Sequence, residues 1–305
     1  MSKRDFLTVE ALSIEELWKV LDLADELKAN RQQRDDLAGM SIGMLFEKPS
    51  TRTRVSFEVG IGELGARPLV LSAGDLQLGR GEPIEDTARV LSRYLHALVV
   101  RTGAQSRLEA LAAAGTIPII NALSDFSHPC QALADLQTIR ERKGGLAGLK
   151  LAYLGDGNNV AHSLLKAGAM AGMRVAVGSP PGYEPIPQIV QHAKALAAET
   201  GGDVVVTADP LEAASGADVV YTDVWTSMGQ ESEADARPLI FRAFHVGYHV
   251  MEAAAPGAIV MHCLPAHRDE EIAAGIIDGP QSVVWDQAEN RLHSQKALLL
   301  FLLAG

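Results

Sequence analysis

At 305 residues, 47% of them hydrophobic and 21% charged, the chain has material for two ordinary α/β domains with sizeable cores. Its net charge of −11, from 27 basic and 38 acidic side chains, argues against a nucleic-acid-binding surface. Two distant cysteines, Cys130 and Cys263, make no disulfide framework.

The N-terminal stretch MSKRDFLTVEALSIEELW has no apolar signal core and is too acidic for a transit peptide. The longest apolar run, ALLLFLLAG at 297–305, is too short to span a bilayer. The expectation is a cytoplasmic protein with no membrane partner.

In chain order, a helical pattern at 14–28 opens on a capping box, Ser13 and Glu16. Strand-like runs follow at 42–46, 68–72, 97–101 and 117–120, interleaved with helical patterns at 84–95, 105–114 and 129–142. A second series of strands is predicted at 151–155, 174–178, 203–207, 218–222, 258–263 and 282–285, with helices at 159–171, 187–200 and 289–303. Continuous apolar strands alternating with helices predict parallel sheets covered on both faces. The three glycines of RKGGLAGLK (142–150) interrupt this alternation. The fold expected is therefore α/β with two domains, residues 1–145 and 146–305, each a mainly parallel sheet flanked by helices.

Ligands of open α/β sheets bind beyond the carboxyl ends of strands. Beyond the first strand comes EKPSTRTRVSFE (47–58), where Ser50, Thr51, Arg52 and Thr53 fall at a helix start. Free backbone N–H groups, hydroxyls and a guanidinium there make an anion site, and no Walker loop is present. Arg52 and Arg54 point roughly 200° apart on a helix, so only one faces the anion. The plainer reading is an ordinary N-cap with solvated arginines. Arg101 closes the strand at 97–101. In SDFSHPCQ (124–131) Pro129 suits the first helical position, which leaves His128 at the cap and Gln131 in the first turn. A positive helix end disfavours imidazolium, so His128 is expected to be neutral and able to polarise a carbonyl.

GDGNNV (155–160) is an incomplete dinucleotide fingerprint, with Val160 where a third glycine would stand and no acid ending the next strand. No nicotinamide cofactor is assigned; the turn serves instead to set Asn158 and Asn159 at a helix start. TDVWTSMGQESEADARP (222–238) offers Asp223 at a strand end, then an acidic loop long enough to act as a lid. In VMHCLPAHR (260–268), His262, Cys263 and His267 lack a partner cluster with structural-zinc spacing, so no metal and no cofactor is expected.

STRTR, HPCQ, DVWTSMG and HCLP, in this order along the whole chain, resemble the carbamoyltransferases, and DVWTSMG is similar to their ornithine-specific branch. The resemblance implies two α/β domains, one for carbamoyl phosphate (1–145) and one for L-ornithine (146–305), with a C-terminal helix, 289–305, returning to the first domain. It further implies a homotrimer or a multiple of trimers, and transfer of the carbamoyl group to the ornithine δ-amine. Carried over position by position, Ser50, Thr51, Arg52, Thr53, Gln77, Arg101, His128, Gln131, Cys263, Leu264 and Arg291 would bind carbamoyl phosphate. Asn159, Asp223, Ser227 and Met228 would bind ornithine. Arg101, His128, Asp223 and Cys263 would take part in catalysis, with Asp223 holding either the α-ammonium or the δ-amine. Arg54 and His262 match family motifs too and are assigned structural roles. The rivals are a carbamoyltransferase for putrescine, aspartate or an acylated ornithine, and a non-catalytic ligand sensor on the same fold.

Overall fold

The computed structural model describes residues 3–72, 81–226 and 231–304. Its elements in order are α1 (Ile14–Ala29), β1 (Ser41–Phe46), α2 (Thr51–Glu63), β2 (Arg67–Ser72), α3 (Ile84–Leu91), β3 (Ala97–Arg101), α4 (Gln105–Ala114), β4 (Ile119–Leu123) and α5 (Pro129–Lys143). They continue with β5 (Lys150–Leu154), α6 (Asn159–Met170), β6 (Arg174–Gly178), α7 (Pro187–Thr200), β7 (Asp203–Thr207), α8 (Pro210–Ala214), β8 (Val219–Thr222) and α9 (Arg237–Phe241). The last are α10 (Tyr248–Ala253), β9 (Ile259–His262), α11 (Ala274–Ile277) and α12 (Val284–Leu303). Among the described residues, no helix is long and apolar enough to cross a membrane.

The chain forms two compact units, Met1–Ala134 with Asn290–Gly305, and Asp135–Glu289. The division falls inside α5, ahead of the glycine-rich stretch at 142–150. Those glycines turn the chain into β5: Gly144 and Gly148 sit at φ +79° and +78°, and Gly148 N–H donates to Gly172 O at 2.9 Å.

The first unit holds a four-stranded parallel sheet in the order β2-β1-β3-β4. Leu45, Leu98, Val100, Leu108, Leu111 and Ile119 are buried together on it. The capping box of α1 forms as its sequence predicts, Ser13 Oγ accepting from Glu16 N and Glu16 from Ser13 N. C-terminal residues of α12 return to this unit: Lys296, fully buried, donates to Glu63 at 2.7 Å, and Ala297, Leu298 and Leu299 are buried. A cation removed from water needs such a partner.

The second unit holds a five-stranded parallel sheet in the order β7-β6-β5-β8-β9. Ala152, Val220, Val246, Val250, Val260 and Val284 share its core. The strand expected at 282–285 does not form. Ser282 makes an isolated bridge to Val260, and the chain then turns into α12 at Val284. A four-residue apolar run fits a strand or a buried helix entry equally, and here burial of Val284 beside an exposed Trp285 selects the helix.

Candidate active site

In both sheets the strand order reverses once, between β1 and β3 in the first and between β5 and β8 in the second. A crevice opens beyond the carboxyl ends of strands at such a reversal. The polar motifs of the sequence fall at these two places, and each is described within its own unit.

In the first unit Arg101 is in register with Phe46, the last residue of β1. Glu47 just beyond is fixed by Arg107 Nε at 2.8 Å and by the Thr102 hydroxyl, and its N–H donates to Arg101 O at 2.9 Å. Ser50 caps α2, its Oγ accepting from Thr53 N at 3.3 Å. The helix begins at Thr51 with no acid in its first turn, so its positive end is not neutralised there. Arg54 turns outward to Glu58 at 3.4 Å, whereas Arg52 is half-buried and close enough for its charge to act on His128. The two arginines divide as the helical step requires.

His128 precedes α5, and its carbonyl accepts from Gln131 N and Ala132 N at 3.1 and 3.2 Å. Its side chain is 5% exposed. Burial first, then the charges of Arg291, Arg101 and Arg52, push its pKa well below the ordinary imidazole value. That direction is the one expected from sequence, with burial and three guanidiniums as its causes. Arg291, from α12, donates Nη1 to Gln131 Oε1 at 2.7 Å and Nη2 to Thr53 Oγ1 at 3.0 Å. It thus joins the starts of α2 and α5. Cys130 beside them is inert: burial pushes its thiol up to about 12, and Sγ donates to Asn121 O. The first unit accordingly brings together Ser50, Thr51, Arg52, Thr53, Arg101, His128, Gln131 and Arg291. Gln77 lies outside the described residues.

In the second unit Thr222 pairs in register with Leu154 on one side and His262 on the other. The next residues of the three strands, Gly155, Asp223 and Cys263, therefore emerge side by side. The glycines of the apparent fingerprint have local uses. Gly155 turns at φ +139°, and a Cβ on Gly157 would stand 2.1 Å from Pro185 N. The 184–185 backbone passes so close that only glycine fits at 157.

Asn158 caps α6, its Oδ1 accepting from Val160 N and Ala161 N, while its Nδ2 donates to Asp223 Oδ2 at 3.0 Å. Asp223 Oδ1 accepts from its neighbour Val224 N at 2.8 Å and from Cys263 Sγ at 3.0 Å. Asp223, 7% exposed, is a carboxylate aimed by three donors. Asn159 follows at the first helical position, half-buried. Leu264 has φ +58°, and its N–H donates to His262 Nδ1 at 2.8 Å, which fixes the turn that presents Cys263. His262 N–H is held in turn by Gln287 Oε1, and Gln287 Nε2 donates to Asp135 at 2.7 Å and to Tyr221 Oη at 3.0 Å. Ser227 and Met228 lie outside the described residues.

Sequence reasoning missed the anchors of this second cluster. Arg237 makes a buried ion pair with Asp156 at 2.8 Å, donates to Trp225 O at 2.6 Å, and lies 5.0 Å over the Tyr183 ring. It ties the end of β5 to the segment after β8. Nothing in RPLIF marks it. Asn158 carries a legible signal, an Asn directly before a helix, but its second bond to Asp223 needs the sheet.

Residues 4–141 match the family described as "Aspartate/ornithine carbamoyltransferase, carbamoyl-P binding domain", and residues 147–302 match its "Asp/Orn binding domain". An ornithine carbamoyltransferase of Parafrankia sp. (strain EAN1pec) is 63% identical over 307 residues, covering 99% of this chain and 97% of that protein. One from Acidothermus cellulolyticus is 60% identical over 301 residues, covering 98% and 96%. The solved structure of the ornithine carbamoyltransferase from Pyrococcus furiosus superposes with a TM-score of 0.96 at 52% identity, covering 100% of this chain and 98% of that one.

Proposed function

Because the chain belongs to the aspartate/ornithine carbamoyltransferase family, we propose that it transfers the carbamoyl group of carbamoyl phosphate to the δ-amine of L-ornithine, giving L-citrulline and phosphate. The observation that carries this reading is the cationic cluster of the first unit. Arg52, Arg101 and Arg291 act on one neutral histidine at the starts of two helices, in a chain whose net charge is −11. Such a cluster suits a phosphate dianion and the carbonyl beside it.

The roles follow from the chemistry. The α2 start, with Ser50, Thr51, Arg52 and Thr53, holds the phosphate, joined by Gln77 and Arg291. Arg101, His128 and Gln131 hold the carbamoyl end. As the amine attacks, negative charge grows on the carbonyl oxygen, and Arg101, neutral His128 and Thr53 supply donors to it. An imidazolium there would surrender its proton; a neutral ring gives a hydrogen bond without that risk. Leaving phosphate departs toward the arginines.

The amine poses the harder problem. With a pKa of about 10.4 it is neutral in only about one molecule in 2,500 at pH 7, a deficit of about 4.6 kcal/mol. Bound carbamoyl phosphate and the arginines around it must lower that pKa. An ionised carboxylate beside the δ-amine would hold its proton on. Asp223 is therefore assigned to the α-ammonium, where a negative partner only binds. Asn159 and the 227–228 segment take the α-carboxylate and neighbouring groups, and Cys263 keeps Asp223 oriented.

We further assign the working form as a homotrimer in the cytoplasm. Support for assembly comes from apolar side chains exposed on the first unit, Val55 at 52%, Val90 at 47% and Tyr94 at 70%. Two free thiols suit a reducing compartment.

The test is citrulline formation from carbamoyl phosphate and L-ornithine, with L-aspartate and putrescine run in parallel. Product from ornithine alone is expected. Product only from another amine would keep the carbamoyl half of the reading and discard the ornithine half. A folded protein that makes none of these products would sink the reading altogether.

A further inference from the structure

Beyond β9 lies a group of side chains that the proposed reaction does not use. Glu271 is fully buried. Its Oε1 accepts from His267 N at 2.7 Å and lies 3.0 Å from His262 Nε2. Since His262 Nδ1 accepts from Leu264 N, the ring hydrogen sits on Nε2, and that contact is a second donor to Oε1. Oε2 of the same carboxylate is buried with no hydrogen-bond partner among the described residues. A buried carboxylate oxygen without a donor is unfavourable unless something positive meets it. Arg268, the nearest cation in sequence, is committed to Asp278 through two bonds of 2.8 Å.

Two further ligand-type groups lie near this carboxylate. His267 Nδ1 and Glu270 Oε2 stand 3.4 Å apart, and one donor atom each of His267, Glu270 and Glu271 lie within 4.8 Å of one another. His267 is exposed and Glu270 half-buried, so their side chains stand between the buried Glu271 and solvent. Two carboxylates and an imidazole suit a first-row divalent ion bound at about 2.0–2.2 Å, which needs donors about 3–3.6 Å apart. The His267–Glu270 pair already meets that spacing. Their side chains are free enough to close the remainder on a fixed Glu271.

We propose that His267, Glu270 and Glu271 form a binding site for a divalent transition-metal ion, with water completing its shell. Asp223, His262 and Cys263 also lie close together, but both His262 ring nitrogens are engaged, so that trio is a poorer host. H-C-x₃-H in the sequence points to the right histidine with the wrong partners. Through Glu271 and His262 the ion would stiffen the turn that carries Cys263 and Leu264.

The probe is Mn²⁺, which prefers carboxylate and imidazole to thiolate. Chelator-treated full-length protein is titrated while the electron paramagnetic resonance of free Mn²⁺ is followed, with no substrate present. The expected result is one ion per chain, a dissociation constant raised at least tenfold by His267→Ala or Glu270→Gln, and no change with Cys263→Ser. Circular dichroism of each variant verifies folding. Glu270→Gln, at a half-buried position, guards against a Glu271 variant that fails to fold. Binding that survives both substitutions, or is lost only with Cys263→Ser, overturns the proposal. So does no binding of Mn²⁺ or Zn²⁺ at millimolar concentration. These readouts do not depend on carbamoyl transfer, so the two proposals fail separately.

Discussion

The two clusters are built from opposite materials. In the first unit the groups aimed at a ligand are cations and donors: Arg52, Arg101, Arg291, a neutral His128 and the starts of α2 and α5. In the second the central group is an acid, Asp223, gripped by Asn158, Cys263 and the Val224 N–H. The charge of the first would meet an anion, and that of the second a cation, as the proposed reaction requires. The difference extends to how each is held. Arg291 ties together the two helix starts of the first cluster by bonding Thr53 and Gln131 directly. The second depends on a remote clasp, the Asp156–Arg237 pair, which holds the segment following Asp223 by Trp225 O.

That clasp gives the largest expected effect. The Arg237 and Asp156 side chains are 4% and 8% exposed, so Arg237→Ala takes a buried carboxylate's ion-pair partner away. Breaking a buried pair in this way costs about 3–5 kcal/mol. Thermal and urea unfolding of the variant are expected to show that loss, along with weaker ornithine binding. Arg237→Ala with Asp156→Asn should recover part of the stability, because the buried negative charge is gone. A single variant as stable as the parent would mean that the second cluster needs no clasp.

Next come the paired substitutions that exchange the two materials. His128→Ala is expected to lower kcat about 10²–10³-fold, the usual loss for one donor to a developing oxyanion. Asp223→Asn is expected to raise the KM for ornithine about 10- to 100-fold, as befits one charged hydrogen bond. It should leave the equilibrium binding of carbamoyl phosphate, read by calorimetry, within about twofold. Equal damage to both substrates from either change would erase the distinction between the clusters. The pH behaviour of His128 has a definite sign. Its folded pKa is depressed, so the unfolded chain binds the extra proton first, and its contribution to stability is present above about pH 6.5 and falls as pH drops below it.

Most of this architecture was legible in the sequence, because parallel strands buried on both faces read as continuous apolar runs. Helices at 105–114 and 187–200 were predicted to the residue, and the capping box at Ser13 forms. His128, Gln131 and the Ser50–Thr53 turn could be found because each stands beside a helix start, a local signal. The apolar run at 282–285 failed because four residues cannot distinguish a strand from a buried helix entry. Arg237, Gln287 and Glu271 were not legible at all. Each acts through a partner that its own sequence neighbourhood does not announce: Asp156 lies 81 positions from Arg237, and His262 is reached by Glu271 only after the chain turns at Leu264. Sheet order creates the first contact and a loop turn the second, and no spacing rule anticipates either.

The smallest effect tests the edge of the first unit, where exposure should dilute electrostatics. Glu16 serves twice, closing the α1 capping box and pairing with Arg4, whose Nη1 lies 2.6 Å from its Oε1. The Arg4 bond, opposed by burial and aided by the Ser13 N–H, lowers the Glu16 carboxyl to about 2, from an ordinary 4.5. Here the unfolded chain takes up the proton first as pH falls. The stabilisation is therefore complete above about pH 4.5 and disappears as pH falls through the folded value near 2. Side-chain exposures of 37% for Arg4 and 27% for Glu16 mean that solvent screens much of it. Glu16→Gln is expected to lower the melting temperature by about one to two degrees at pH 7 and by nothing measurable at pH 2. The same pair of melts for Arg237→Ala should differ far more from the parent at pH 7. If the two variants behaved alike, burial would not be what separates a clasp from a surface pair in this protein.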